Sequence, residues 1–408
     1  MTEGLGSRRA FWLVLLATAG TFALTMGNRQ SMGLFVSPLN TATGLGLASI
    51  SLAFAVGQLA WGLTQPFAGA VADRYGAGRV LLAAVLLVAL GGLLTPYMTT
   101  TLGLVVTIGI LGAGGAGMAG PAVLMSTATK LIPPERRGLA NGIVNAGGSS
   151  GQFLLTPVAA ALIVSLGWVG ALQAVSLLVL LALPAAYILW SGGGNAAGAA
   201  VKPPLPTREA LRLAGADRSY RLLVIGFFVC GFHVAFLSTH LPGVVAACGL
   251  STEWSGWALS MLGLFNIVGS VAIGWAMGRW RMKSLLALLY AVRGVAVLLF
   301  LLAPKTGAVV LVFAAVMGLT FLSTVPPTAG LVARLFGPAN MAMLFGVVML
   351  THQVGGFLGA WMGGTVFQAT GSYDWVWYVD IVLAAGAALL HLPIREAPLV
   401  RRAAAAAA

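Results

Sequence analysis

Arg29 lies inside an apolar run that extends from about residue 11 to residue 36. A guanidinium at the centre of a helix in hydrocarbon costs about 2.5 to 3.5 kcal/mol on insertion scales, so such a residue is expected to face a cavity or a partner. Counted back from Pro38 at about 1.5 Å per residue, it stands roughly 13 Å from the outer end of the helix, near the middle of the run. The acids are Glu3, Asp73, Glu135, Glu209, Asp217, Glu253, Asp374, Asp380 and Glu396, and none falls in the interior of the first eleven apolar runs. A buried cation without a carboxylate of its own suits a bound anion, and the planar fork of arginine suits a carboxylate in particular. The blander alternative is an arginine bonded to backbone carbonyls or reaching to the surface.

His233 and His240 stand in a later apolar run. An imidazole titrates near neutrality, so either ring can bond an anion or carry a coupling proton, which Arg29 cannot because it keeps its proton. Isolated helical histidines more often bond a neighbouring carbonyl. His352 and Gln353, with Asn145 and Gln152, are polar groups in glycine-rich apolar runs, where such residues line a site or join helices. Asn28, Gln30, Asn266 and Thr324 are secondary hydrogen-bonding candidates. Arg293, also in an apolar run, reads as a snorkelling scaffold residue. The glycine-rich stretches 112–120 and 147–151 lack the Lys-Ser or Lys-Thr of a phosphate loop and read as close helix packing. No Ser/His/Asp order, zinc spacing or carboxylate pair is present. The expectation is no enzyme, no cofactor and no metal.

The elements that position these groups follow from composition. Of 408 residues, 59% are hydrophobic and 8% charged, too few polar groups to cover a water-facing globule. Apolar runs long enough to cross about 30 Å of hydrocarbon recur along the chain. They read as helices near 11–36, 48–72, 80–97, 102–129, 139–165, 170–190, 222–246, 255–277, 284–302, 307–333, 341–367 and 375–393. The net charge of +13 invites nucleic acid as a partner. Every lysine and arginine except Arg29, Arg293 and Lys305 nevertheless falls in loops on one side of this layout, which is the positive-inside pattern. Nucleic acid is not needed. Both termini are expected in the cytoplasm of a plasma membrane of the bacterial inner-membrane type, with the chain monomeric in the bilayer. Cys230 and Cys248 suggest neither disulfide nor metal.

An internal repeat organises the spans. Pro38, Gly69, Arg74, Pro121, Gly142 and Gly151 recur 204 or 205 positions later as Pro242, Gly274, Arg279, Pro326, Gly346 and Gly355. The expected domains are a six-helix bundle over 1–190, a cytoplasmic linker over 191–221 and a second six-helix bundle with its tail over 222–408. Parallel repeats of this kind hold a substrate near the midplane and expose it alternately to each side. The same offset makes His233 the counterpart of Arg29.

Between the second and third spans stands the run GAVADRYGAGR, with Gly69, Asp73, Arg74, Gly76 and Arg79. It resembles, in pattern and in place, the G-x-x-x-D-R-x-G-x-R signature of the major facilitator superfamily. Physically, its glycines admit close helices, and Asp73 can cap a helix N-terminus or pair with a loop arginine. The second-half copy has Gly278 in place of the acid. A narrower resemblance runs from Gly20 and Phe22 through Gly27 and Arg29 to Phe35. It is similar to the first helix of the monocarboxylate transporter and oxalate/formate antiporter branch, in which a buried basic residue precedes a phenylalanine by six positions. The branch's acidic-glycine-aromatic motif is missing, and its eighth-helix cation is replaced by Asn266 and Ser270. The resemblance implies an all-helical carrier of twelve spans, with Asp73 as a gate latch and the first and seventh helices lining the cavity. The substrate it implies is a small organic anion, a monocarboxylate by class, with a coupling proton or counter-anion. The alternatives are proton-coupled efflux of amphipathic compounds and a membrane sensor that moves nothing.

Overall fold

The computed structural model describes residues 2–195 and 205–398. Among the described residues the secondary structure is helical and contains no strand, as hydrocarbon requires of a backbone that must satisfy each N–H and C=O within its own segment. Among the described residues ten helical segments are long and apolar enough to cross a membrane. One of them, Pro134–Trp190, has 57 residues and is turned at Gly167, where φ is 70° and ψ 170°. Only glycine adopts that conformation at little cost, so the segment makes two passages, the fifth and sixth spans. With the 29-residue helix Leu47–Tyr75 as the second span, the chain crosses twelve times. The first span is Arg9–Thr43, which continues past Ser31 through Met32–Phe35 and Val36–Thr43, the third Ala77–Leu94 and the fourth Thr101–Leu131. The seventh to twelfth are Arg218–Ala247, Thr252–Ala276, Met282–Leu302, Gly307–Phe336, Met341–Thr370 and Asp374–His391. The linker read over 191–221 lies partly outside the described residues and carries a helix at Thr207–Ala216. The alanine run 403–408 lies outside them.

The chain forms two compact units, Met1–Thr207 with Pro338–Gly346, and Arg208–Gly337 with Val347–Ala408. Within each unit a glycine seam joins two spans. A Cβ on Gly151 would stand 1.9 Å from the carbonyl oxygen of Ala23, and one on Gly27 would stand 2.6 Å from that of Gly151. The fifth span therefore lies flush on the first. In the second unit a Cβ on Gly231 would meet the oxygen of His352 at 1.8 Å, and one on Gly355 that of Phe228 at 2.0 Å. The seventh and eleventh spans thus pack as the first and fifth do, at equivalent glycines. Each unit also has one broken span. The fourth stops at Ala119 and restarts at Pro121, and the tenth stops at Thr320 and restarts at Val325, ahead of Pro326. Proline in the first turn of a helix forfeits no hydrogen bond, so it restarts a helix readily. The fourth span also contains a π-helical stretch, Val105–Gly114, a form that recurs at functional sites.

Candidate functional site

In the first unit, Arg29 is half-buried, and one arm of its guanidinium donates through Nη2 to Oε1 of Gln58 on the second span. The guanidinium carbon lies 5.3 Å from the centre of the Trp61 ring, one turn further along that helix, a cation–π placement. Among the described residues no carboxylate lies within ion-pair distance of Arg29. The amide orients the fork but leaves its charge uncompensated. Asn28 is buried, and among the described residues neither its Nδ2 nor Nε1 of Trp61 has a hydrogen-bond partner. Gln30 is exposed and donates to Oε1 of Gln152 at 3.3 Å, which joins the first span to the fifth. Asn145 is buried in the fifth.

The motif residues form a tight junction in the same unit. Asp73 accepts from the backbone N–H groups of Met343 at 2.9 Å and Ala342 at 3.3 Å, so it caps the N-terminus of the eleventh span, where the helix dipole favours a negative charge. Its cationic partner is Lys130, at 2.5 Å, rather than a loop arginine. Gly69 makes the approach possible, since a Cβ there would stand 2.4 Å from the backbone of Ala342. Gly76, with φ of 90°, turns the chain into the third span. Arg74 and Arg79 are exposed, and Arg79 lies 5.5 Å from the ring centre of Trp190.

In the second unit, several candidates meet at the break in the tenth span, where helical carbonyls and N–H groups lose their partners. The N–H of Leu322 donates to Oδ1 of Asn266 at 3.1 Å, and Thr324 lies 3.0 Å from the sulfur of Cys230. Arg293 does not snorkel. It is 1% exposed, and its Nη2 donates to the carbonyl oxygens of Thr320 and, at 2.5 Å, Phe321. Those carbonyls end the first half of the broken span, and a guanidinium meets them as it would any helix C-terminus. His233 has Nε2 3.0 Å from Oδ1 of Asp380 on the twelfth span. His240 is held apart from this group, with Nε2 2.8 Å from the oxygen of Ala360 and its ring near Phe236 and Tyr373. His352 is buried, its Nδ1 3.0 Å from Oε1 of Gln353. Among the described residues no histidine, cysteine and acid group is placed to hold a metal ion.

A family model described as Major Facilitator Superfamily matches residues 17–360, and again 255–407. The chain belongs to the major facilitator superfamily. An uncharacterized MFS-type transporter, YcxA of Bacillus subtilis, is 26% identical over 95% of each chain. Monocarboxylate transporter 13 of Rattus norvegicus is 27% identical over 94% of this chain and 89% of its own length. The 4-hydroxybenzoate transporter PcaK of Pseudomonas aeruginosa is 26% identical over 90% and 88%. Among solved structures, the proton:xylose symporter XylE superposes with a TM-score of 0.73 at 15% identity, over 94% of this chain and 95% of that one. The E. coli fucose:proton symporter FucP does so with a TM-score of 0.68 at 14% identity, over 94% and 98%. These likenesses carry the fold of a major facilitator.

Within that fold, sequence reasoning passed over Gln58, Trp61 and Asp380. The first two are ordinary residues of an apolar helix, and only the packing of the second span against the first reveals them. Asp380 was visible in principle, because an acid inside an apolar run is as costly there as Arg29 is in its own.

Proposed function

We propose that this major facilitator moves a small organic anion, a monocarboxylate by class, and that Arg29 binds its carboxylate. The observation that carries the reading is a guanidinium in the first span whose bonded partner is a neutral amide. Gln58 and Trp61 hold the fork in one plane, and an incoming carboxylate completes its charge with two parallel hydrogen bonds. Asn28, with an unbonded buried donor on the same turn, supports the anion. Two of the similar carriers are named for a monocarboxylate and for 4-hydroxybenzoate, both carboxylates. The near-exclusive placement of lysine and arginine in loops on one side supports cytoplasmic termini.

Uptake of labelled monocarboxylates into proteoliposomes tests the reading. Saturable uptake by the wild type and its loss in Arg29→Ala are expected, with Arg29→Lys retaining a weaker activity because it keeps the charge but not the fork. Undiminished carboxylate uptake by Arg29→Ala, or extrusion of amphipathic dyes with no carboxylate flux, overturns it.

A further inference from the structure

The anion site leaves a second group of buried charges unused. His233 on the seventh span and Asp380 on the twelfth are each 1% exposed, with Nε2 and Oδ1 3.0 Å apart. The imidazole also meets the backbone of Asp380. Among the described residues the Asp380 carboxylate and Nη1 of Arg293 have no further hydrogen-bond partner. A pair that serves only as scaffold closes its bonds, because an unmet polar atom in a low-dielectric interior is costly. Four other buried titratable groups nearby each have at least one bond, although Nε2 of His352 and of His391 also lacks a partner among the described residues. Tyr290 donates to the oxygen of Gly226 at 3.0 Å, Cys230 lies 3.0 Å from Thr324, His352 bonds Gln353, and Nδ1 of His391 lies 2.7 Å from the oxygen of Ala387. The ninth span, which carries the buried Arg293, packs closely on the twelfth at this depth, since a Cβ on Gly294 would stand 3.2 Å from that of Ala384, one turn from Asp380.

We infer that His233 and Asp380 form a proton-binding site, and that the charge state of the pair reaches the broken tenth span through Arg293. The step adds a proton from water to a lone pair of the imidazole or the carboxylate, and no electrons change hands. Either product weakens the counter-charge that Asp380 offers Arg293. That guanidinium then leans more heavily on the carbonyls of Thr320 and Phe321, which it already holds. The pair is sealed in this conformation, so a proton can enter or leave only in another one. That is the property a coupling site needs if it is not to leak. Use of the proton to drive transport rests on the proposed anion carriage, whereas proton binding itself does not.

The experiment uses the full chain in liposomes. Infrared difference spectra are taken between alkaline and acid pH without substrate. A protonated-carboxyl or imidazolium band is expected to grow in acid, and to disappear in Asp380→Asn or His233→Gln respectively. In the same vesicles a trapped pH dye follows proton movement on addition of a monocarboxylate. Both variants are expected to lose that movement while still exchanging labelled carboxylate for unlabelled. Should Asp380→Asn not fold, as judged by its thermal transition, His233→Gln carries the test. Bands unchanged in both variants, with proton movement equal to wild type, overturn the inference even if carboxylate uptake is robust. Titrating bands that depend on the pair, in vesicles that move no carboxylate, uphold the proton site and sink the anion reading instead.

Discussion

A guanidinium bonded to an amide oxygen keeps its full charge, which makes the partner of Arg29 as informative as Arg29 itself. Gln58 supplies Oε1 to one arm, and a carboxylate in its place would occupy the fork permanently. Gln58→Glu is therefore expected to abolish carboxylate uptake while leaving the folded protein as stable or more so, measured by proteoliposome uptake and by thermal unfolding in detergent. Arg29→Ala removes both hydrogen bonds to the carboxylate, about 1.5 to 3 kcal/mol each, which corresponds to a roughly hundredfold or greater loss of carboxylate affinity. A thermal-shift titration with monocarboxylates measures that change through ligand stabilisation. Arg29 was legible because a lone cation in an apolar run is expensive wherever it points. Its surroundings were not, since the azimuth at which Gln58 and Trp61 meet it depends on how two helices turn about their axes. The reverse holds for Arg293: its cost was legible, but its destination required the break in the tenth span, which nothing in its own helix announces.

Helix boundaries follow from apolar length, and all but that of the first span, which runs on to Thr43 rather than ending near 36, came within a few residues of the sequence expectation because the thickness of a bilayer sets them. The seams and breaks between helices follow from individual small residues. Gly27 with Gly151 and Gly231 with Gly355 bring helix backbones into direct contact at equivalent places in the two units. Gly151→Val should force the first and fifth spans apart, with the usual overpacking cost of about 1 to 3 kcal/mol and a sharp loss of transport. Gly20→Ala, where an added Cβ meets nothing within 4 Å, should leave both unchanged. The broken tenth span makes a second demand. Arg293→Leu would strand the carbonyls of Thr320 and Phe321 and remove the buried positive charge near Asp380, a loss of about 1 to 3 kcal/mol for each acceptor left unmet. Asp380→Asn in the same chain should restore part of that stability, because it removes the uncompensated charge. Thermal unfolding of the two single variants and the double variant gives the coupling directly. The sequence expectation makes 307–333 one helix, with Pro326 only the repeat of Pro121, so it misses the break although a proline stands there to signal it, whereas the π-helical stretch at Val105–Gly114 had no comparable signal.

At the scale of the whole molecule the two halves repeat in packing but not in charge. The first copy of the loop motif keeps Asp73, and the second has Gly278 at the corresponding place. Only the first copy can therefore cap a helix with a carboxylate, and the helix it caps is the eleventh span, whose opening residues Met341 to Gly346 belong to the first compact unit and whose remainder belongs to the second. A carboxylate that holds the first turn of such a helix acts on an element to which both units contribute residues. Asp73→Asn keeps the side chain's size and an acceptor oxygen but gives up the charge that meets both Lys130 and the N-terminal N–H groups. Loss of a cap costs about 0.5 to 2 kcal/mol, so amide exchange at Ala342 and Met343 should quicken by up to roughly thirtyfold, with little change in global unfolding. Carboxylate binding should persist, because Arg29, Gln58 and Trp61 lie on other helices, whereas transport should slow. Hydrogen exchange read beside ligand-induced thermal shift separates these effects. Quickened exchange with intact binding assigns Asp73 to the movement of the carrier, and an equal loss of binding would assign it to the site.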